Sequence, residues 1–165
     1  MGKKYNILVD TREKPDFAWG FSPSAWCAGS VSRKLDQGDY AVEGLEDRVV
    51  VERKASVSEL AGNLTDPRFA RELVRLSEEV AYPVVVCEFT HAAVEAYPEG
   101  SDIPFARRRF VKVKGPFLLR LLTEHMLAHP KVHWAFFESP ARAREFARAL
   151  FKRAVEAAEV AEGGR

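Results

Sequence analysis

The stretch Val49-Val50-Val51-Glu52-Arg53-Lys54 sets a carboxylate and an amine two positions apart at the end of an apolar run. Side chains on a strand alternate faces, so Val50, Glu52 and Lys54 share one face and Arg53 points to the other. Upstream, Asp39-Tyr40-Ala41-Val42-Glu43 leads into the turn Gly44-Leu45-Glu46-Asp47, and the two runs read as a β-hairpin. A symmetric turn centred between Leu45 and Glu46 sets Glu43 opposite Arg48, and therefore Asp39 opposite Glu52. Opposed residues hold their Cβ atoms roughly 4.5–5.5 Å apart. Two carboxylates that close repel unless a cation lies between them, and hard oxygen ligands favour Mg2+ or Mn2+. Lys54 beside such a cation has the charge to polarise a water or to steady a phosphoryl group in transfer. A three-residue loop would break this parity. The plain alternative is a pair of solvated residues on an exposed strand face, where charge pairs carry little.

Other elements must hold this hairpin. Tyr5 to Asp10 reads as a first strand, residues 15–29 as irregular, and Val31 to Leu35 as a short second strand. Ser56 to Leu64 reads as a short helix. Asp66 and Pro67 then cap a second helix, on which Phe69, Leu73, Leu76 and Val80 form an apolar stripe. Pro83 to Phe89 is a continuous apolar run, the pattern of a strand covered on both faces. Residues 91–115 are less regular and carry Arg107-Arg108-Arg109, Lys112 and Lys114 with no acid between Pro104 and Gly115. Pro116 to His129 is helical and apolar almost all round, which predicts burial on most sides. Val132 to Phe137 is a further strand, and a last helix opens at Pro140. Alternating strands and helices predict an α/β fold with a central mixed sheet flanked by helices.

Length and composition narrow the classes. At 165 residues, 47% apolar and 30% charged, the chain is expected to form one domain over 1–165. Whole-chain disorder is excluded, and no apolar run reaches the roughly 18 residues of a membrane span. No signal-peptide pattern precedes the first strand, and Cys27 and Cys87 form no CxxC, so a cytoplasmic setting is expected. With 25 basic and 24 acidic residues there is no global basic field, and any nucleic-acid binding must rest on local patches.

Asp10-Thr11-Arg12-Glu13, Gly38-Asp39-Tyr40 and Val51-Glu52-Arg53-Lys54 resemble, in this order, the three motifs of the XPF-type structure-specific endonucleases. The likeness continues through Leu60 to Leu64, Arg68-Phe69 to Leu76, Val84 to Glu88 and Phe117 to Leu127. It ends with His133-Trp134-Ala135 and Ser139-Pro140, and so covers about Tyr5 to Val155. It implies a restriction-endonuclease-like fold and a Mg2+- or Mn2+-dependent endodeoxyribonuclease acting on branched or flapped DNA. Asp39, Glu52 and Glu13 would hold the metal, with Lys54 completing the catalytic set. Arg12, Arg53, Arg68, Arg107, Arg108, Arg109, Lys112 and Lys114 are the expected DNA contacts, Arg53 supporting from the opposite face. The family also implies a homodimer through the C-terminal half.

The motif departs from the family in one place. Ser58 stands where an Asp is usual, and Glu59 is the nearest acid to replace it. The helix-hairpin-helix module that often accompanies the family is not expected here. A junction resolvase uses the same chemistry on a symmetric dimer. A non-catalytic scaffolding partner would be expected to lose acids, whereas Asp39, Glu52 and Lys54 are all present. Trp19 and Trp26 more simply plug their loop onto the core than stack on a base. His125 and His129 have a zinc-compatible spacing but no third ligand.

Overall fold

The computed structural model describes residues 3–164. Six strands, β1 (Tyr5–Val9), β2 (Cys27–Ser32), β3 (Tyr40–Val42), β4 (Val49–Lys54), β5 (Tyr82–Cys87) and β6 (His133–Phe136), form one sheet. The order across it is β2-β1-β3-β4-β5-β6. The hairpin β3–β4 and its neighbour β1 are antiparallel, while β1–β2, β4–β5 and β5–β6 are parallel. The predicted mixed sheet is thus observed, with the hairpin at its centre.

Helices cover both faces. One face carries Leu8, Ala41, Val50, Val85 and Cys87 against α1 (Val57–Leu64), α2 (Pro67–Glu79) and α5 (Gly115–Ala128). The other carries Ile7, Val9, Tyr40, Val42, Val49, Val51, Val84 and Val86 against α6 (Pro140–Gly163) and the loop bearing Trp19 and Phe21. Two covered faces explain the unbroken apolar run of β5. Cys27 and Cys87 are free and buried, and burial pushes the Cys87 thiol well up. No helix among the described residues is long and apolar enough to cross a membrane.

The helix ends follow their caps. Ser56 accepts from the Glu59 N–H, Asp66 from Arg68 and Ser139 from Arg142, and proline opens both α2 and α6. Three expectations need correction. The second strand is Cys27–Ser32 rather than 31–35, because it is an edge strand, largely exposed and shifted in register beside Gly29, and so leaves no alternating pattern to read. Residues 91–115, read as less regular, contain α3 (His91–Ala96) and a single turn, α4 (Phe105–Arg108). Helix α5 is not enclosed on most sides: only Gly115, Leu118 and Leu122 are buried, and Leu127 is 82% exposed.

Candidate active site

The hairpin register is the one the turn parity predicts. Tyr40 pairs with Val51 and Ala41 with Val50, which carries Asp39 to the end of the ladder beside Glu52. Gly38 makes this approach possible. Its φ is +69°, and a Cβ there would lie 2.1 Å from the Val50 Cγ1 and 3.1 Å from the Val51 carbonyl. No other residue fits so close to a core valine at positive φ. The Asp39 N–H donates to the Val51 carbonyl at 2.9 Å. The Asp39 Oδ2 accepts the Arg53 N–H at 2.7 Å, so the carboxylate itself continues the ladder.

The charges are set by this packing. Removal from water, then the adjacent Glu52, pushes the Asp39 carboxyl well above the usual carboxylate range. The Lys54 side chain is buried, donates to Glu52 Oε1 at 2.9 Å and lies 5.2 Å over the Phe69 ring. Burial acts to lower its pKa, but Glu52, Glu59 and Asp39 outweigh it and the ammonium is held above its ordinary value. The Lys54 ammonium is thus held as a cation beside Glu52.

Arg53 points through the opposite face, as strand alternation requires. Its Nε donates to Glu88 Oε1 at 2.8 Å and its second terminal nitrogen to Glu88 Oε2 at 3.1 Å. The remaining nitrogen donates to Glu13 Oε2 at 2.9 Å, and the Tyr40 hydroxyl donates to the same oxygen at 2.8 Å. Trp19 stacks on Tyr40 at 4.8 Å and donates its indole N–H to Glu88. With 9% of its side chain exposed, Arg53 is closed off from solvent, and the expectation that it contacts DNA does not fit this geometry. The side chain is anchored by Glu88 and Glu13 on one face, while the backbone N–H of the same residue is accepted by Asp39. Trp19 is buried in the core as the simpler reading had it.

On the chemical face lies a cleft of about 190 Å3. Asp39, Glu52, Glu13, Arg12 and Gln37 line it, joined from α2 by Glu72 and Arg75. Glu13 is at the rim, with one oxygen taken by Arg53 and Tyr40. Among the described residues no three of His, Cys, Asp and Glu converge into a metal cage. Glu13, expected beside Asp39 and Glu52 as a third metal ligand, therefore does not complete a three-acid cluster with them.

Arg12 is aimed by Asp10. Asp10 Oδ1 accepts the Arg12 N–H at 2.8 Å and Nε at 2.6 Å, and Oδ2 accepts the Leu35 N–H at 2.7 Å. Burial alone would raise the Asp10 pKa, but these hydrogen bonds together hold it below the ordinary value. Asp10, Glu88, Glu72 and Arg75 were absent from the residues predicted at the site. Asp10 and Glu88 each end a buried apolar strand, a signal a sequence does carry. The position of α2 over the hairpin is not.

Around the departure from the motif, Ser58 donates to Asp102, and Glu59 is engaged in capping. The Glu59 Oε2 accepts the Ala55 N–H at 2.8 Å, and its other oxygen lies 3.9 Å from Lys54. Glu59→Ala is expected to cost about 1 kcal/mol of stability, the scale of a helix cap, and to lower cleavage less than tenfold. A rate loss as deep as that of an Asp39 variant would instead make Glu59 the replacement acid.

The remaining predicted DNA contacts divide in the same way. Arg68 is exposed and paired with Asp66 at 2.7 Å. Arg107, Arg109, Lys112 and Lys114 are exposed. Arg108 is held by Ile103, Ser101 and Glu99, and braces its own loop.

This geometry is that of a restriction-endonuclease-like fold, with paired acids and a lysine on a central hairpin. Residues 9–102, more than half of the chain, match the ERCC4 domain, and the chain belongs to that family, the XPF-type nucleases. It superposes on XPF from Aeropyrum pernix with a TM-score of 0.61 at 19% identity, covering 93% of this chain and 68% of that one. XPF from Aeropyrum pernix in complex with DNA gives 0.62 at 19% identity, covering 93% and 66%. This chain therefore spans about two thirds of the length of those structures. No curated protein sequence matches it.

Proposed function

We propose that this domain is a metal-dependent endonuclease that hydrolyses phosphodiester bonds of DNA near branches, flaps or forks. The observation that carries the proposal is the Asp39–Glu52 pair beside a cationic Lys54 in a cleft rimmed by Arg12 and Arg75. The donor set fits a hard divalent cation. The Asp39 carboxyl is destabilised as an anion by burial and by Glu52, and a cation relieves both. Mg2+ is commonly held by one or two carboxylates, with water and substrate phosphate completing its shell, so a third acid is not required. Asp39 and Glu52 would hold the ion, which supplies a nucleophilic water at neutral pH and charge for the developing phosphorane.

The chain's own residues do the rest. Lys54 orients Glu52 and presents positive charge to the scissile phosphate. Arg12, held by Asp10, and Arg75 offer phosphate contacts on either wall of the cleft. The family membership and the DNA complex of the Aeropyrum XPF support DNA as substrate. Purified protein incubated with labelled flap, fork and four-way junction DNA should cut only with Mg2+ or Mn2+. Equal cutting in chelator, or none with either metal, overturns the proposal.

A homodimer through the C-terminal half belongs to the same proposal. Strand β6 leaves an open sheet edge, and Phe117, Leu127 and Val160 present apolar side chains to solvent. Phe151 is fully buried within the chain and is not an interface residue. Sedimentation at micromolar concentration should show a dimer that Leu127→Glu weakens without unfolding the protein. A monomeric wild type removes this part.

A further inference from the structure

Two large aromatic side chains stand almost free of the protein. Phe105 is 80% exposed and Phe110 is 69% exposed. Neither contributes to the core. Both lie in the loop that carries the basic run, and each rests on an arginine. The Arg108 guanidinium lies 5.8 Å from the Phe105 ring centre, and that of Arg109 lies 4.7 Å from the Phe110 ring centre.

The segment is built, not loose. Arg108 Nε donates to the Ile103 carbonyl at 2.9 Å, and its terminal nitrogens reach Ser101 and Glu99. Val111 and Val113 pack onto the core beneath. The Gly115 N–H returns to the Tyr97 carbonyl at 2.9 Å, and a Cβ on Gly115 would strike the Glu95 carbonyl, so the loop closes tightly at its base. Within the loop lies an open pocket of about 470 Å3, lined by Phe105, Arg108, Arg109, Lys114, Ala106 and Glu99. The Ser58–Asp102 hydrogen bond ties this loop to the first turn of α1, which begins at Val57, just after the catalytic strand. The rings therefore stand on the same side of the sheet as Glu52 and Lys54.

We propose that Phe105 and Phe110 form a stacking platform for the unpaired bases of single-stranded DNA, with Arg107, Arg109 and Lys112 following its phosphates. A groove with positive charge and aromatic faces at intervals is what a single strand requires. Its bases stack regardless of sequence, while its backbone needs cations. Duplex DNA hides its base faces and gains nothing from such rings. A protein surface docking here would meet charged walls instead of a continuous apolar patch. The inference deepens the nuclease reading and rests on it, because it gives a branch-cutting enzyme a means to grip the unpaired arm.

The test measures binding of a labelled oligothymidylate and of a blunt duplex by fluorescence anisotropy over a salt series, for wild type and for Phe105→Ala/Phe110→Ala. Affinity for the single strand is expected to fall about tenfold or more, the scale of one or two lost stacks, with the duplex within about twofold and the salt slope unchanged. Phe105→Trp should retain the affinity and lose indole fluorescence on adding the oligonucleotide. Arg107→Ala/Arg109→Ala/Lys112→Ala should weaken both DNA forms and flatten the salt slope. Single-strand affinity unchanged in the double phenylalanine variant overturns the platform. So does a loss confined to vesicles of anionic lipid, which would make the rings a membrane contact. If that variant binds normally and still cuts branched DNA, the platform alone is wrong. If the wild type neither binds nor cuts any DNA, the nuclease reading falls and the platform with it.

Discussion

Asp39→Asn is expected to lose cleavage by at least about a hundredfold, since changes to mere neighbours of metal ligands already cost 10- to 100-fold. The same protein should melt no lower than wild type in chelator. Asn keeps an oxygen for the Arg53 N–H, which Asp39 accepts at 2.7 Å, and it removes a charge that burial and Glu52 disfavour. The sign follows from linkage. The Asp39 pKa is higher folded than unfolded, so the native state holds this proton more tightly. The stabilisation from that proton is complete below the unfolded value and is lost as pH rises through the raised folded value. Metal-free wild type should therefore lose stability toward neutral pH relative to Asp39→Asn, and the difference should shrink in acid. Urea melts in chelator at two pH values, paired with a cleavage assay in Mg2+, would decide it. A variant that cuts at the wild-type rate would falsify the assignment of this hairpin as the catalytic centre.

Arg53→Ala should be the most damaging single change to stability. It strips the guanidinium from Glu88, whose side chain is 3% exposed, and from Glu13, and leaves their charges with only the Trp19 indole and the Tyr40 hydroxyl as neutral donors. Removing one member of a buried pair costs about 3–5 kcal/mol. Arg53→Met combined with Glu88→Leu should recover much of that loss, because no orphaned charge remains at Glu88. Denaturant titration of the single and double variants would show it. A single-variant cost under about 1 kcal/mol would mean that water reaches the pair and that Arg53 does not brace Asp39.

The central hairpin was legible because its logic is local. The alternation of Val50, Glu52 and Lys54 and the parity of a short turn decide which groups face each other, and neither needs long-range information. The family resemblance, carried by the three motifs, supplied the rest of the fold. Other features depend on distant packing. Residue order alone could not show that Glu13 would divide itself between Arg53 and Tyr40, or that Arg75 would reach the cleft from α2. The apolar circumference of α5 misled for a physical reason. Leu118 and Leu122 serve the core of this chain, while Phe117 and Leu127 do not, and hydrophobicity alone cannot tell an inner from an outer surface. Strand β2 was placed late because an exposed edge strand needs no alternation to be stable.

Glu52, Arg53 and Lys54 occupy one backbone in three consecutive steps, yet the middle residue braces the far side of the sheet while Glu52 lines the cleft and Lys54 backs it from the same face. This couples the spelling of the motif to its phase. A slip of one position along β4 would turn the guanidinium into the cleft and bury the acid and the ammonium among the aromatic side chains behind it. Chemistry and support would be exchanged in the same event, with no partial state in which only one is lost. Over evolutionary time, length changes should accumulate in the loops that flank the hairpin, for which a gain or loss of one residue carries no such inversion, and should be purged from the strand and from the turn between β3 and β4, whose parity sets Asp39 beside Glu52.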